Sequence, residues 1–241
     1  MASLTTIGNE LYTGERSIPV VAKRRLWLSI AAGFLILLAL GTVLRGGFVF
    51  GIEFTGGSEF RVTGLTESSV EGAAEAVESI VPESEARVAT LGSDAVRVQT
   101  DVVTEQQAAD IRTALAEAYG VETGEVAFSF VGPSWGQDVT QQALQALVTF
   151  LVLVSIVLAI YFRTWKMAVA ALASLAFDLL VTAGVYGIIG FEVTPAAVIG
   201  FLTILGYSLY DTVVVFDKVR ENTAPGVSGD LLGNINLAVN Q

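Results

Sequence analysis

The chain has 241 residues, 53% of them hydrophobic and only 15% charged, with a net charge of −11 and a mean hydropathy of +0.64. Soluble domains carry about 25% charged residues overall, so this composition excludes a small soluble enzyme and sends the surplus apolar residues to lipid. Cysteine and histidine are absent, which rules out a disulfide framework, a thiolate or imidazole zinc site, a cysteine nucleophile and a Ser-His-Asp triad within these residues. No cofactor or enzymatic activity is expected.

Residues 1–25 carry Lys23, Arg24 and Arg25 directly ahead of Leu26–Leu44, a run without a charge. A bilayer core needs about 20 apolar residues in a helix, so 26–44 is the first expected span. Its length exceeds a signal-peptide core of about 7–15 residues and no small-residue cleavage site follows, which marks an uncleaved anchor.

Residues 45–138 read as a separate, water-exposed domain. The stretch 46–140 holds 16 of the 24 acids and 4 of the 13 bases, too acidic for a nucleic-acid surface. Ser58–Val62 alternates as a strand. Thr66–Ile80 places Val70, Ala73, Ala74, Val77 and Ile80 at helical spacing, with Thr66 as N-cap. Glu85–Thr90 and Ala95–Thr100 alternate on either side of Gly92-Ser93-Asp94, a hairpin signal. Thr104–Gln107 is a capping box opening a helix with Ala108, Ile111, Leu115 and Ala118 on one face and an end at Gly120. Glu125–Val131 is the last strand. This β-α-β-β-α-β order predicts a ferredoxin-like domain.

Three further spans follow, at 139–162, 167–191 and 193–216, the last two holding one charge each, Asp178 and Asp211. Trp135 is expected at the membrane interface, and Thr194-Pro195 supplies a cap and a first helical residue for the last span. Lys23, Arg24 and Arg25, then Arg163 and Lys166, then Lys218 and Arg220 all fall on one side if the chain crosses four times. The positive-inside rule makes that side cytoplasmic. Residues 217–241 are then a cytoplasmic segment and 45–138 is extracytoplasmic.

A carboxyl at the bilayer centre costs roughly 2.5–3.5 kcal/mol and usually faces a bundle interior on a proton or ion path. Asp178 shares a helical stripe with Ala171, Ser174, Thr182 and Val185. Asp211 shares one with Gly200, Ile204, Tyr207 and Ser208. Both stripes carry the small and polar residues of a helix interface, so each carboxyl is a candidate proton carrier or, alternatively, a hydrogen-bonding helix glue. Without histidine, any proton relay must use carboxyls, hydroxyls or water.

The segment Tyr210–Asn222, with Asp211, Thr212, Asp217, Arg220, Glu221 and Asn222, closely resembles the signature of the SecD/SecF translocase family. Gly51-Ile52-Glu53-Phe54-Thr55-Gly56-Gly57 is similar to that family's G-I-D-F-T-G-G, with Glu53 in place of Asp. Val131–Gly136, with Gly132 and Pro133, resembles its V-G-P-x-x-G, and Phe177-Asp178 stands where many members have His-Asp. Order and spacing resemble the SecF branch over about residues 20–241. The resemblance implies six spans, of which four are visible, and hence a truncated chain ending in the lead to a fifth.

It also implies an RND-like, proton-driven subunit of the bacterial cytoplasmic membrane. Its partners would be SecD, the SecYEG channel, an exported unfolded polypeptide and the lipid bilayer, with no nucleic acid. Asp211 and Asp178 would be the proton-coupling residues, and Phe177 weakens that role at Asp178. The competing readings are an RND-type exporter of small molecules and a membrane-anchored receptor with an outer ligand-binding domain.

Overall fold

A computed structural model describes residues 4–65, 69–84, 86–227 and 229–241. In chain order the elements are α1 (Leu4–Thr13), α2 (Arg24–Leu44), β1 (Val49–Phe50), α3 (Ile52–Thr55), β2 (Gly57–Val62), α4 (Glu71–Glu78), β3 (Arg87–Leu91), β4 (Ala95–Thr100), α5 (Glu105–Tyr119), β5 (Val126–Val131), α6 (Pro133–Phe162), α7 (Trp165–Ile189), β6 (Glu192–Val193), α8 (Pro195–Asn222) and α9 (Leu231–Asn240). The chain divides into two compact units, one of residues 50–146 and 192–196, the other of residues 1–49, 147–191 and 197–241.

The first unit is built on a four-stranded sheet of order β3-β4-β2-β5. Neighbours are antiparallel throughout, with Phe60 opposite Val98 and Phe128, and Val88 opposite Val98. Period-2 alternation decides which side chains go inside. Phe60, Val62, Val96, Val98 and Val126 are fully buried with Ala73 and Val77 of α4 and Ile111 and Leu115 of α5. Burying each of the larger side chains stabilises the fold by about 1.5–3 kcal/mol. The other face of the sheet carries Glu59, Arg61, Arg97 and Gln99, where Gln99 donates to Glu59 and Arg61 pairs with Glu59.

Helix α5 begins as the spacing predicts. Gln107 N donates to Thr104 Oγ1 and Thr104 N donates to Gln107 Oε1, satisfying two orphan donors of the first turn. It ends on Gly120 at φ +64°, a left-handed cap that glycine adopts without penalty. Ala118 is exposed and Ala116 is buried instead, because the buried stripe drifts as the helix crosses the sheet. Tyr119 reaches back to donate to Ser69 O, and burial pushes its phenol up. The expected Thr66 cap lies outside the described residues. Helix α4 is shorter than 66–80, and Val70, expected on its inner face, precedes the helix and is exposed.

In the second unit, α2, α7 and α8, together with α6 from residue 147 on, present mostly exposed apolar side chains such as Leu37, Leu44 and Ile160. Four helices, α2, α6, α7 and α8, are long and apolar enough to cross a membrane. Their burial is reserved for helix contacts. Val154, Leu158, Phe162, Ala168, Ala171, Leu175 and Leu205 form one cluster. Helices α2 and α7 approach closely where α7 carries glycine. A Cβ on Gly184 would lie 2.8 Å from the Leu38 Cβ, and one on Gly187 would collide with Thr42. Thr42 turns its hydroxyl inward, donating to Leu38 O at 2.9 Å.

Three spans differ in length from the apolar count, α2 only by the two arginines, Arg24 and Arg25, that open it. Helix α6 starts at Pro133 rather than 139, because proline suits the first helical position and the polar turn that follows continues the helix. Helix α8 runs past Phe216 to Asn222, since the charged last turns are helix formers that no hydropathy window includes.

The same unit holds a clasp at the chain's ends. Asn236 and Asn240 stand one turn apart on α9. Asn236 Oδ1 accepts from Val21 N at 3.0 Å and Asn240 Oδ1 accepts from Ile18 N at 2.9 Å. Both amide groups donate to Ile18 O at 3.1 Å. Gln241 donates to Tyr12 O.

Candidate functional site

Helices α7 and α8 bring the two membrane carboxyls to one place. A groove of about 630 Å³ is lined by Ser174, Asp178 and Thr182 from α7 and by Tyr207, Ser208 and Asp211 from α8. The helical stripes explain this, since residues three and four apart lie on one face. The two carboxyls have different partners. Ser208 donates its hydroxyl to Asp178 Oδ2, and Thr182 Oγ1 donates to Asp178 O at 2.8 Å. Asp211 is exposed in the groove beside Thr212. Chemically, Asp178 is an acceptor already engaged in a helix contact, and Asp211 is a carboxyl open to a new partner.

The remaining residues of the Tyr210–Asn222 segment lie on the last turns of α8. Asp217 accepts from the Tyr161 hydroxyl at 3.2 Å, Lys218 pairs with Glu221 at 3.0 Å, and Asn222 donates to Gln241 Oε1 at 2.9 Å. Arg220 falls in the final turn, where a cation complements the helix dipole.

The two glycine motifs meet in the other unit. Gly56, at φ +78°, would place a Cβ 3.0 Å from Pro133 Cα. A Cβ on Gly57 would lie 2.7 Å from Thr100 O, and one on Gly136 would lie 2.7 Å from Phe54 O. These contacts are backbone on backbone, so no side chain can move aside. Thr55 closes the turn, donating from Oγ1 to Gly51 O and Gly56 O. Gly132 has more room, its nearest neighbour being the Phe130 ring at 3.8 Å. Trp135 is exposed. Glu53 has one oxygen, Oε2, buried without a hydrogen-bond partner, and Glu192 has another, Oε1. The second oxygen of Glu192 is held by Arg97.

Sequence reasoning missed Ser208 as the partner of Asp178, and it missed Arg97 and Glu192. A lone acid in the short apolar link between two spans was the signal available for Glu192. No group of three or more metal-binding side chains occurs among the described residues.

Four helices long and apolar enough to cross a membrane, two of them framing a carboxyl-lined groove, define a multi-pass membrane protein. The family described as protein export membrane protein SecD/SecF, C-terminal, matches residues 110–241, and the chain belongs to that family. Curated relatives that it resembles include SecF subunits. Protein translocase subunit SecF of Mycobacterium tuberculosis is 41% identical over 224 residues, covering 89% of this chain and 50% of that protein. The SecF of Streptomyces coelicolor is 40% identical over 226 residues, covering 92% of this chain and 59% of the relative. The chain thus spans about half the length of the curated relatives it matches. The crystal structure of SecDF, a translocon-associated membrane protein from Thermus thermophilus, shares the fold with a TM-score of 0.80 at 24% identity, over 93% of this chain and 31% of that one.

Proposed function

We propose that this protein acts as a SecF-type accessory subunit of the Sec preprotein translocase, working with SecD beside the SecYEG channel to draw unfolded polypeptides across the bacterial cytoplasmic membrane at the expense of the proton gradient. The observation that carries this reading is the convergence of Asp178 and Asp211 on one groove between α7 and α8. One charge crossing the field gains about 2.3 kcal/mol per 100 mV. Protonating a carboxyl changes which partners it prefers and so biases one packing of two helices over another. Asp211, exposed in the groove, is the carrier. Asp178, held by Ser208, positions the neighbouring turn of α8.

In this reading residues 45–138 form an extracytoplasmic ferredoxin-like domain. Its β-α-β-β-α-β order and its β3-β4-β2-β5 sheet support that assignment. It would contact the emerging polypeptide while the membrane helices respond to the proton.

The test is Asp211→Asn, assayed by translocation into inverted vesicles with and without an imposed proton gradient. Asparagine keeps the size and hydrogen bonding but cannot carry the charge. The gradient-driven gain in export is expected to vanish while SecD still copurifies. A gradient response equal to wild type would remove Asp211 from the proton path.

A further inference from the structure

Gly51 is surrounded by carboxyl oxygens. A Cβ built on it would collide with Glu53 Oε2 and come 3.1 Å from Glu192 Oε1, with the Thr194 methyl at 3.3 Å. These are the two oxygens that are buried without a hydrogen-bond partner. They converge on one point, held there by fixed backbone: Gly51 N donates to Val193 O at 2.9 Å, and Phe54 N donates to Gly51 O at 3.0 Å. An ionised carboxylate oxygen can only accept, so two of them facing one dry spot are both unsatisfied and repel. Arg97 supplies one positive charge, on the far oxygen of Glu192, which offsets one of the two negative charges and leaves the other bare.

One proton resolves every part of this. A hydroxyl on either carboxyl donates to the other, both orphaned oxygens gain a partner, and the cluster of Arg97, Glu192 and Glu53 becomes neutral. We propose that Glu53 and Glu192 share a single proton, and that this proton latches the link ahead of α8 to the Gly51–Gly57 turn. The other charged groups are on the same sheet face or near it. Arg61 stands opposite Arg97 and is paired with Glu59. Arg87 and Asp101 line a separate cavity with Ile52 and Gly56. None of these stands in for the missing donor, because neither orphaned oxygen has a hydrogen-bond partner. Without that proton, two buried acceptors face each other with no donor between them.

The experiment uses the purified chain in lipid nanodiscs, so its outcome is independent of any translocation assay. Infrared difference spectra between wild type and Glu53→Gln are expected to show the carbonyl band of one protonated carboxylic acid at neutral pH, lost in the variant. Glu192→Gln is expected to remove the same band, which covers the case in which one variant fails to fold. The absence of the band from both difference spectra overturns the proposal. So does a wild-type thermal midpoint that rises on adding sodium or calcium at fixed pH while Glu53→Gln does not respond, because a cation would then hold the two oxygens.

Discussion

Ser208 on α8 donates its hydroxyl to Asp178 on α7, so one of the two membrane carboxyls is already committed to a neighbouring helix. A hydrogen bond to a charged acceptor contributes about 1.5–3 kcal/mol, and a buried acceptor stripped of its donor costs about as much. Ser208→Ala is expected to lower the thermal midpoint in detergent. Asp178→Asn, which still accepts from Ser208, is expected to change it little. Equal losses from both variants would show that the charge of Asp178 and not the bond sets the stability.

Glycine substitutions separate close packing from helix propensity. Gly187→Ala drives a methyl into Thr42, and Gly136→Ala drives one into Phe54 O. Overpacking of this kind costs about 1–3 kcal/mol. Gly200 and Gly206 on α8 have nothing within 4 Å of a Cβ, so alanine there is expected to stabilise by roughly 0.5–1 kcal/mol. Thermal unfolding of the four single variants checks the opposite signs. Destabilisation at Gly200 or Gly206 would reveal a contact that these residues make in the assembled protein.

The capping box offers a local measurement in the sheet-based unit. Thr104→Ala removes the acceptor for Gln107 N and is expected to cost about 1 kcal/mol. Hydrogen exchange at the first turn of α5 should accelerate while the β2–β4 amides stay protected. Uniform acceleration across the unit would mean that the cap holds the whole fold rather than one helix end.

Sidedness is open to a simple test because the chain has no cysteine of its own. Ser93→Cys is expected to react with an impermeant thiol reagent on intact cells, and Thr164→Cys is expected to be protected until the membrane is opened. Reaction at 164 and protection at 93 would reverse the orientation.

What the sequence revealed and what it hid divide along physical lines. Strand β4 matches its predicted limits, and the Thr104 box and the Gly120 cap close as their residue types require, because these signals involve atoms only a few residues apart. The meeting of Asp178 and Asp211 was legible from two helical stripes joined by a short link. The start of α6 was not, because a search for apolar length passes over Pro133 and the polar turn after it. The approach of Glu53 and Glu192 to one side of Gly51 was hidden altogether. It joins residues far apart in sequence, and each acid looks solvated when read alone. The role of Gly51 was hidden for the same reason, since a glycine that makes room for distant carboxylates looks like any other turn glycine.

The clasp of Asn236 and Asn240 grips residues 18–21 through main-chain atoms, and Asn236 adds one side-chain contact just ahead of them, donating to Ser17 Oγ at 2.7 Å. Over residues 18–21 a grip of that kind recognises the path of a polypeptide and ignores its spelling. Ile18, Val20 and Val21 can therefore be exchanged for other residues and the N-terminal segment will stay docked, so long as the replacement keeps its amide proton. Proline at 18 or 21 removes a donor and is the substitution the clasp cannot absorb. All the specificity is lodged in two side-chain amides at the opposite end of the chain. Tags or fusions placed ahead of Ser17 should leave the contact intact, while a single Asn236→Leu should release it.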